Sequence, residues 1–289
     1  MAARRNVNTS SGPVEILHVR GDRSPVLFFP GGHCSASSDC GRSLYTELGH
    51  EVVAFSRPGY GGTRVGPLDA AEFIPAVREV CQQLGVSTIA AAIGVSFGGL
   101  QALHAAADPT LGVQRLILHS CAPSGSPYPD ARTEAILGQV LFSQLLQGVV
   151  WRLIHRLIRT DTGLRIMMAQ LSTVAIGKWW GQMGAADRSE ARELFRSMRS
   201  DAGFVNDLRQ GHRRDTGARA DAISKVQCPT LVTASKNDGG VSFAHAEDFA
   251  RLIPHSELLE VAAPSHLFWI GSQRTQVMAD INSFMAGDG

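Results

Sequence analysis

Short apolar runs alternate with longer segments of helical periodicity at both ends of the chain. The segment 68–84 repeats apolar residues about every 3.6 positions, as expected of an amphipathic helix. Several runs, such as 26–29, are apolar at every position, which is typical of strands covered by helices on both faces. The alternation therefore predicts an α/β fold with a mostly parallel sheet. The predicted strands cover residues 14–19, 25–29, 51–55, 88–95, 115–120, 230–235 and 257–262.

The alternation stops in the middle of the chain and returns with the strand 230–235. Between the two halves the sequence has helical patterns, such as that of residues 135–158, and no convincing strand. We therefore predict a core made of residues 1–125 and 219–289, interrupted by a helical cap over residues 126–218.

The predicted cap is rich in methionine and tryptophan. It holds four of the six methionines beyond Met1 and three of the four tryptophans. These side chains adapt to irregular apolar surfaces, so two interpretations stand: they form an apolar wall of a substrate pocket, or they pack the cap against itself and the core. The tryptophans that would bind substrate are Trp151, Trp179 and Trp180.

Composition and charge exclude several classes of protein. With 44% hydrophobic and 18% charged residues the chain can bury a large core, which excludes disorder as its main state. Its 27 Lys and Arg against 26 Asp and Glu leave a net charge of +1, so no overall field attracts nucleic acid or an anionic membrane. The expected partner is a small-molecule substrate.

The cysteines and the N-terminus bear on cofactors and location. The five cysteines are scattered, with no CxxC pair and no Cys/His cluster at metal-ligand spacing, so neither a disulfide framework nor a metal site is predicted. No apolar stretch follows the N-terminal arginines as it would in a secretory signal, and no run is typical of a membrane span. We expect a cytoplasmic protein that uses no cofactor; the sequence indicates no oligomeric state.

Residues 90–100 place a serine between a strand and a helix. The chain reads Gly94-x-Ser96-x-Gly98 at the end of a buried-strand pattern and the start of a helical one. In such a turn the serine has a strained backbone, and small residues two positions to either side avoid clashes. The pentapeptide alone can arise by chance, but its flanks make Ser96 the predicted nucleophile.

Two polar residues after later strands complete a predicted catalytic triad. A serine needs a base to take its proton, and the base needs an orienting carboxylate. Asp238 follows the predicted strand 230–235, and His266 follows the strand 257–262. An aspartate in a polar turn is often only turn chemistry. The order Ser96, Asp238, His266 is nevertheless the one expected for a serine on a strand-to-helix turn.

Two other histidines follow Asp238 and compete for the role of base. His245 lies in a helical pattern, and His255 precedes the last predicted strand, at the opposite edge of the sheet. We therefore predict His266 as the base.

Acyl transfer also needs backbone N–H donors for the developing oxyanion. One is expected from Phe97, directly after the nucleophile, and one from the loop after the strand 25–29. That loop contains Gly31 and Gly32, which let the backbone approach a ligand closely. We predict Gly32 N–H as the second donor, with His33 N–H as the alternative, and expect His33 to contact substrate. A plain glycine turn is the other interpretation.

Five segments of the core match one family pattern: residues 30–32, 56–63, 94–99, 229–232 and 265–266. In these segments the chain resembles the α/β-hydrolase superfamily, and their order is similar to that of its capped esterase, haloperoxidase-like and peptidase branch. The resemblance covers the core at both ends of the chain and not the cap. It implies a cap inserted between core strands six and seven. The usual His-Gly of the oxyanion loop is Pro30-Gly31 here, which is a departure from the pattern.

The residue chemistry and the resemblance together imply a serine hydrolase that cleaves an ester or related acyl bond of a small, largely apolar substrate. His266, oriented by Asp238, would take the proton of Ser96 as it attacks a carbonyl, and an acyl-enzyme would follow. A hydrolase-like ligand-binding or receptor protein with a slow or silent triad is an alternative of another class, because fold does not dictate function. A C–C bond hydrolase or perhydrolase of the same fold is a further one.

An aminopeptidase of this fold is another alternative, and it needs carboxylates that meet a substrate ammonium. The sequence offers acidic residues in the cap but does not place them at a pocket. A basic run over residues 209–219 could bind an anionic substrate, but a solvated surface is the expected interpretation. The acidic residues in question are Glu134, Asp161, Asp187, Glu190 and Glu193.

Overall fold

Eight strands form a single sheet in the order β1-β2-β4-β3-β5-β6-β7-β8. The computed structural model describes residues 2–129, 140–143, 145–212 and 215–287. The strands are β1 (Ala2–Thr9), β2 (Gly12–Val19), β3 (Arg23–Phe29), β4 (His50–Phe55), β5 (Ala91–Val95), β6 (Leu116–His119), β7 (Thr230–Ala234) and β8 (Ser256–Glu260).

The sheet is parallel from β4 to β8, and β1 and β2 form an antiparallel hairpin at one edge. All seven predicted strands are confirmed, with ends that differ by up to three residues. The sequence did not predict β1. That strand has no apolar run, and Val7 is its one buried residue from position 3 to 9. Its pairing with β2 depends on backbone hydrogen bonds, which a hydrophobic pattern does not reveal.

Helices cover both faces of the sheet. The alternation of strand side chains explains this, because successive residues of a strand point to opposite faces. In β3, Val26 and Phe28 belong to one buried apolar cluster, and Leu27 and Phe29 belong to the other. The helices are α1 (Ser43–Glu47), α2 (Ala70–Leu84), α3 (Gly99–Ala107), α4 (Gln147–Leu157), α5 (Asp161–Ala169), α6 (Ala185–Ser197), α7 (Gly203–Gln210), α8 (Thr216–Ser224), α9 (Phe243–Leu252) and α10 (Arg274–Ala286).

The helical cap is inserted between β6 and β7. It contains α4 to α7 and no strand in its described residues. In the described part of the helical pattern 135–158, residues 142, 143, 145 and 146 are not helical, and α4 begins at Gln147. Residues 135–139 and 144 lie outside the described residues. The division of the chain at residues 126 and 218 stays a prediction.

Arg219 joins the two connections between core and cap. Its guanidinium donates to the carbonyls of Ser124 and Ser126 on the way in, at 3.0 and 3.3 Å. It also donates to the carbonyls of Gln210 and His212 on the way out, at 2.9 and 3.0 Å. The expectation of a solvated basic run is therefore wrong at this residue, which is buried. Two other arginines of the run lie outside the described residues.

Among the helices of the described residues, none combines the length and apolar character that a membrane span requires.

Candidate active site

Ser96 lies in a strained turn between β5 and α3. Its φ is 52°, in the left-handed region that side chains disfavour. The neighbouring glycines are required by space: a Cβ on Gly98 would lie 2.0 Å from the carbonyl oxygen of Phe29, and one on Gly94 would lie 2.5 Å from the Cα of Gly99. The turn therefore presents the serine at the edge of the sheet where β5 ends.

Asp238 follows β7 and uses both of its carboxylate oxygens. Oδ1 accepts hydrogen bonds from the N–H groups of Gly240 and Val241, at 2.7 and 2.8 Å. Oδ2 lies 2.7 Å from Nδ1 of His266. Because the backbone holds one oxygen, the other is fixed toward the imidazole. The carboxylate is also almost fully buried, which strengthens its interaction with a charged ring.

A short segment of the cap holds the loops of Asp238 and His266 together. The carbonyl of Leu171 accepts hydrogen bonds from Gly239 N–H at 3.1 Å and from His266 N–H at 2.8 Å. The hydroxyl of Ser172 donates to the carbonyl of Pro264, next to the histidine loop. Two loops that leave different strands thus share one support.

Ser96 and His266 lie at the same edge of the sheet, because β5 to β8 are parallel and both residues follow a strand end. Gly31 lies close to both Ser96 and Cys40. A Cβ on Gly31 would lie 3.2 Å from the Cβ of Ser96 and 3.8 Å from the sulfur of Cys40. The Cys40 thiol in turn interacts electrostatically with His266. No hydrogen bond joins the Ser96 hydroxyl to another described residue.

Backbone N–H groups of two loops are available near Ser96. Gly32 N–H has no acceptor within hydrogen-bonding distance among the residues that the structure describes. Phe97 is in the first turn of a short helix, Ser96–Gly98, where N–H groups have no acceptor within the helix. His33 N–H instead donates to the hydroxyl of Tyr60, at 3.4 Å. The geometry thus favours Gly32 over His33 as the second donor.

A buried arginine supports the loop that contains Gly31. The guanidinium of Arg57 donates to the carbonyls of Pro30 and Gly31, at 2.8 and 3.0 Å. It also forms a bidentate ion pair with Asp207 of α7, whose Oδ2 accepts a further bond from Tyr60 at 2.5 Å. Burial lowers the pKa of Arg57, but the charge and hydrogen bonds of Asp207 together with Tyr60 and Cys34 outweigh this, and the net shift is upward. The loop's carbonyls are therefore held by a group that stays charged.

Sequence reasoning assigned no role to Arg57. The motif of residues 56–63 contains it, but its partner Asp207 is 150 positions away and in the cap. No local signal identified that partner.

His33 is a neutral ring among aromatic side chains. Burial, and then the charge of Arg57, lower its pKa to about 3. Nδ1 lies 2.9 Å from the hydroxyl of Ser200, which accepts the indole N–H of Trp151 at 2.8 Å. Because an indole N–H only donates, the Ser200 hydroxyl accepts from Trp151, and its own proton is available to Nδ1 of His33. Phe204 packs against the ring with centroids 3.9 Å apart.

Two opposing effects act on the pKa of His266. Burial lowers the pKa, while the charge of Asp238 and its hydrogen bond raise it, and the net shift is upward. The ring is therefore more basic than an ordinary imidazole, which suits a group that accepts a proton.

The other candidate histidines lie elsewhere. His245 is buried in α9, with Nδ1 2.8 Å from the hydroxyl of Ser124. His255 is exposed and precedes β8, at the opposite edge of the sheet from His266.

The structure brings only one of the three predicted cap tryptophans to the oxyanion loop. Trp151 packs against His33 with ring centroids 5.2 Å apart. Trp179 lines a cavity of about 260 Å³ beside the loop that follows His266, together with Met183. Trp180 is partly exposed and lies beneath a guanidinium. A role in substrate binding stays a prediction for all three.

Comparison with known proteins identifies a family. A family model described as the alpha/beta hydrolase fold matches residues 24–271. An uncharacterized hydrolase of Bacillus subtilis (strain 168), YcgS, is 27% identical over 291 residues, and the match covers 99% of each chain.

Solved structures agree with this chain over nearly its whole length. An alpha/beta hydrolase fold protein from Nakamurella multipartita has a TM-score of 0.76 and 21% identity, over 99% of this chain and 100% of its own. A thermophilic esterase from Thermogutta terrifontis has a TM-score of 0.70 and 19% identity, over 99% and 98%. An esterase from Rhodococcus sp. ECU1013 has a TM-score of 0.68 and 20% identity, over 99% of both chains.

Proposed function

Because this chain belongs to the α/β-hydrolase family, we propose that it is a serine hydrolase that cleaves carboxylic esters of small, largely apolar substrates. The observation that carries the proposal is the 2.7 Å contact between His266 Nδ1 and Asp238 Oδ2, at the sheet edge where Ser96 lies in its strained turn. These are the three groups that acyl transfer needs, a nucleophile, a base and an orienting carboxylate.

In the first step His266 takes the proton of Ser96 through Nε2 while the serine oxygen attacks the ester carbonyl. Asp238 accepts a hydrogen bond from the Nδ1–H group and stabilises the imidazolium that forms. The N–H groups of Gly32 and Phe97 donate to the oxyanion of the tetrahedral intermediate. His266 then gives its proton to the leaving alcohol, and the acyl group stays on Ser96.

In the second step water releases the acid. His266 takes a proton from water, the hydroxide attacks the acyl carbonyl, and the serine oxygen leaves with the proton that the imidazole returns. The same three side chains serve both steps, so the loss of any one of them affects both.

An uncharged substrate fits the surroundings of the oxyanion loop. Phe97, Phe204 and Trp151 are apolar, and the ring of His33 is neutral because of its lowered pKa. A group without charge loses little hydration there, whereas an ion without a partner would be costly to bury. Two of the similar solved structures are described as esterases, which is consistent with this substrate class.

A substrate with an ammonium group needs a carboxylate partner, and the acidic residues of the cap that were candidates for this role are already engaged where the structure describes them. Four of the five acidic residues considered above are described, and each has a partner. Asp161 pairs with Arg188 and Arg192, Glu190 with Arg274 and Glu193 with Arg196. Asp187 accepts the N–H of Gly184 at the start of α6. We therefore expect an ester, and not an aminoacyl amide, as the substrate.

Labelling with a fluorophosphonate probe tests the proposal. We expect the wild type and a Ser37→Ala control, which changes an exposed serine, to be labelled, and Ser96→Ala to remain unlabelled. A folded wild-type protein that no fluorophosphonate labels would contradict the proposal and favour a ligand-binding protein.

A screen of acyl esters of varied chain length, beside aminoacyl amides and C–C bond substrates, then identifies the bond. Turnover of amides or C–C substrates without turnover of any ester would replace the ester hydrolase by one of its alternatives.

A further inference from the structure

Exposed apolar side chains are concentrated in one part of the molecule. Of the ten exposed large hydrophobic residues among the described residues, eight lie between positions 140 and 166. The most exposed are Leu145, at 91%, and Leu153, at 63%. Single exposed apolar residues are common, but a concentration of this kind marks an interaction surface. The eight are Val140, Leu141, Leu145, Leu146, Val149, Leu153, Leu157 and Ile166.

The rest of the protein covers only part of the apolar surface of α4. Trp151 faces inward and is buried. Val149, Leu153 and Leu157 are spaced four residues apart, so they form a row along the helix, and all three are exposed. Leu145 is exposed in the turn that directly precedes α4. We call these four residues, 145, 149, 153 and 157, the apolar row.

Positive charge accompanies the apolar row. Arg152, Arg156 and Arg159 are exposed, and the sequence from 140 to 160 contains no aspartate or glutamate. None of the three arginines has a carboxylate within 4 Å in the described part of the chain. The local charge of this surface therefore differs from that of the whole chain, which is +1.

We propose that the apolar row and its arginines form a docking surface for an anionic lipid surface. A helix with an exposed apolar face flanked by arginine lies in the plane of a membrane interface, where leucines enter the acyl boundary and guanidinium groups meet headgroup phosphates. A second copy of this chain is the poorer occupant, because a two-fold contact between identical rows would bring like-charged arginines together.

The docking surface lies on the outer side of the helix whose inner side reaches the oxyanion loop. Trp151, on the inner side, packs 5.2 Å from the ring of His33. Docking would therefore bring the loop near Ser96 to within one helix diameter, about 10 Å, of the lipid. This goes beyond the proposed hydrolase activity and does not depend on it, because docking needs none of the catalytic groups.

Vesicle co-sedimentation of the full chain tests the proposal. Vesicles of phosphatidylcholine alone are compared with vesicles in which roughly 30% of the lipid is phosphatidylglycerol. This fraction gives a strongly anionic surface. We expect binding to the anionic vesicles to be at least tenfold stronger and to weaken with salt. The double variant Leu145→Gln/Leu153→Gln should lose most of this binding. The matched control Leu258→Gln, which changes an exposed leucine of β8, should retain it.

The arginines are tested separately. Each basic side chain near an anionic surface strengthens binding roughly fivefold, so Arg152→Gln/Arg156→Gln should weaken it by more than tenfold. Circular dichroism melting shows that the variants are folded, and fluorophosphonate labelling reports on Ser96 independently of vesicle binding.

Three results would overturn the docking proposal. The first is no co-sedimentation with anionic vesicles. The second is equal binding to neutral vesicles without salt dependence. The third is a concentration-dependent dimer in size-exclusion chromatography with light scattering that Leu145→Gln/Leu153→Gln abolishes, which would assign the surface to a second copy.

Discussion

His266 is the residue whose protonation sets the pH range of the proposed reaction. Its pKa is raised above the ordinary 6.5 because the charge and hydrogen bond of Asp238 outweigh burial. The base must be neutral, so we expect kcat/KM to fall about tenfold per pH unit below a midpoint above 6.5. Hydrolysis of a soluble ester from pH 5 to 9 measures this. A flat profile between pH 5 and 8 contradicts it.

Asp238→Asn provides the matched variant for that profile. Without the carboxylate, burial outweighs the remaining upward effect of Cys40 and lowers the imidazole pKa, so the midpoint should move to lower pH while kcat decreases strongly. Protonation of His266 affects the stability of the protein in the opposite direction from its activity. A folded-state pKa above the unfolded value stabilises the protein at low pH, and this contribution disappears as the pH rises through the folded pKa. Protonation of His266 therefore reduces activity without unfolding the protein.

Asp207 is the residue on which the support of the oxyanion loop depends. Asp207→Asn would leave the buried guanidinium of Arg57 without its counter-charge, at a cost of about 3 kcal/mol in the free energy of unfolding. The control Asp161→Asn removes a more exposed partner of two arginines and should cost less than about 0.5 kcal/mol. Urea denaturation of both variants measures the difference. Equal losses would mean that the buried pair contributes no more than the exposed one.

The sequence predicted residues that a local pattern identifies, and it missed residues whose partners are distant in sequence. Ser96, Asp238 and His266 each follow a recognisable strand, so local pattern and chain order identify them. The structure brings Asp238 and His266 into contact, while their catalytic roles stay proposals. Arg57 and Asp207 interact across 150 positions of sequence. Neither has a local signature of burial, because an isolated charged residue usually predicts the surface.

At the scale of elements, the segment of the cap at residues 171–173 determines how the loops after β7 and β8 meet. A Cβ on Gly239 would lie 2.6 Å from the N atom of Ser172. Gly239→Ala should therefore separate this support from the loop of Asp238. We expect kcat to fall roughly 10- to 100-fold, since small displacements of catalytic groups have effects of this size.

Gly217→Ala is the control for that substitution. Gly217 lies in α8 with no atom within 4 Å of an added Cβ, so alanine should leave kcat unchanged and stabilise the helix by up to about 1 kcal/mol. The comparison uses kcat on a soluble ester and thermal melting of both variants. A normal kcat in Gly239→Ala would show that the support does not position Asp238.

Hydrophobic pattern predicted the elements that bury their side chains and failed for those that do not. The seven predicted strands carry apolar runs, whereas Val7 is the one buried residue of β1 from position 3 to 9. In the cap, apolar periodicity continues from residue 135 to 158, yet residues 142, 143, 145 and 146 are not helical. The hydrophobic pattern could not show where α4 begins, because apolar side chains continue the periodicity whether they are buried or, as in α4, exposed.

At the scale of the whole molecule, the two connections between cap and core are held by one side chain. Residues of the cap also hold loops of the core that form the proposed active site. Arg219 holds the entry and exit of the cap, and Asp207 and Leu171 connect the cap to the loops of the core. The cap is thus a structural part of the proposed active site as well as its cover. Motions of the cap would move the oxyanion loop and the loop of His266 together.

Two histidines with lowered pKa values, His119 and His33, reduce the stability of the whole molecule at acid pH. His119 lies between the hydroxyls of Tyr45 and Thr233, at 2.6 Å from each, and burial lowers its pKa to about 3. Burial also lowers the pKa of His33 to about 3. The unfolded chain takes up protons below pH 6.5 while these folded rings do not, so stability is lost as the pH falls. Between pH 8 and 5.5 the loss is about 1.4 kcal/mol for each ring.

We therefore expect His119→Asn to reduce the stability difference between pH 8 and pH 5.5 by about 1.4 kcal/mol, whatever its effect on stability at pH 8. His255→Asn, which changes an exposed histidine, should leave that difference unchanged. Urea denaturation of the wild type and both variants at the two pH values measures the differences. If the wild type and His119→Asn lose the same stability on acidification, the buried ring is protonated in the folded protein and its pKa is not lowered.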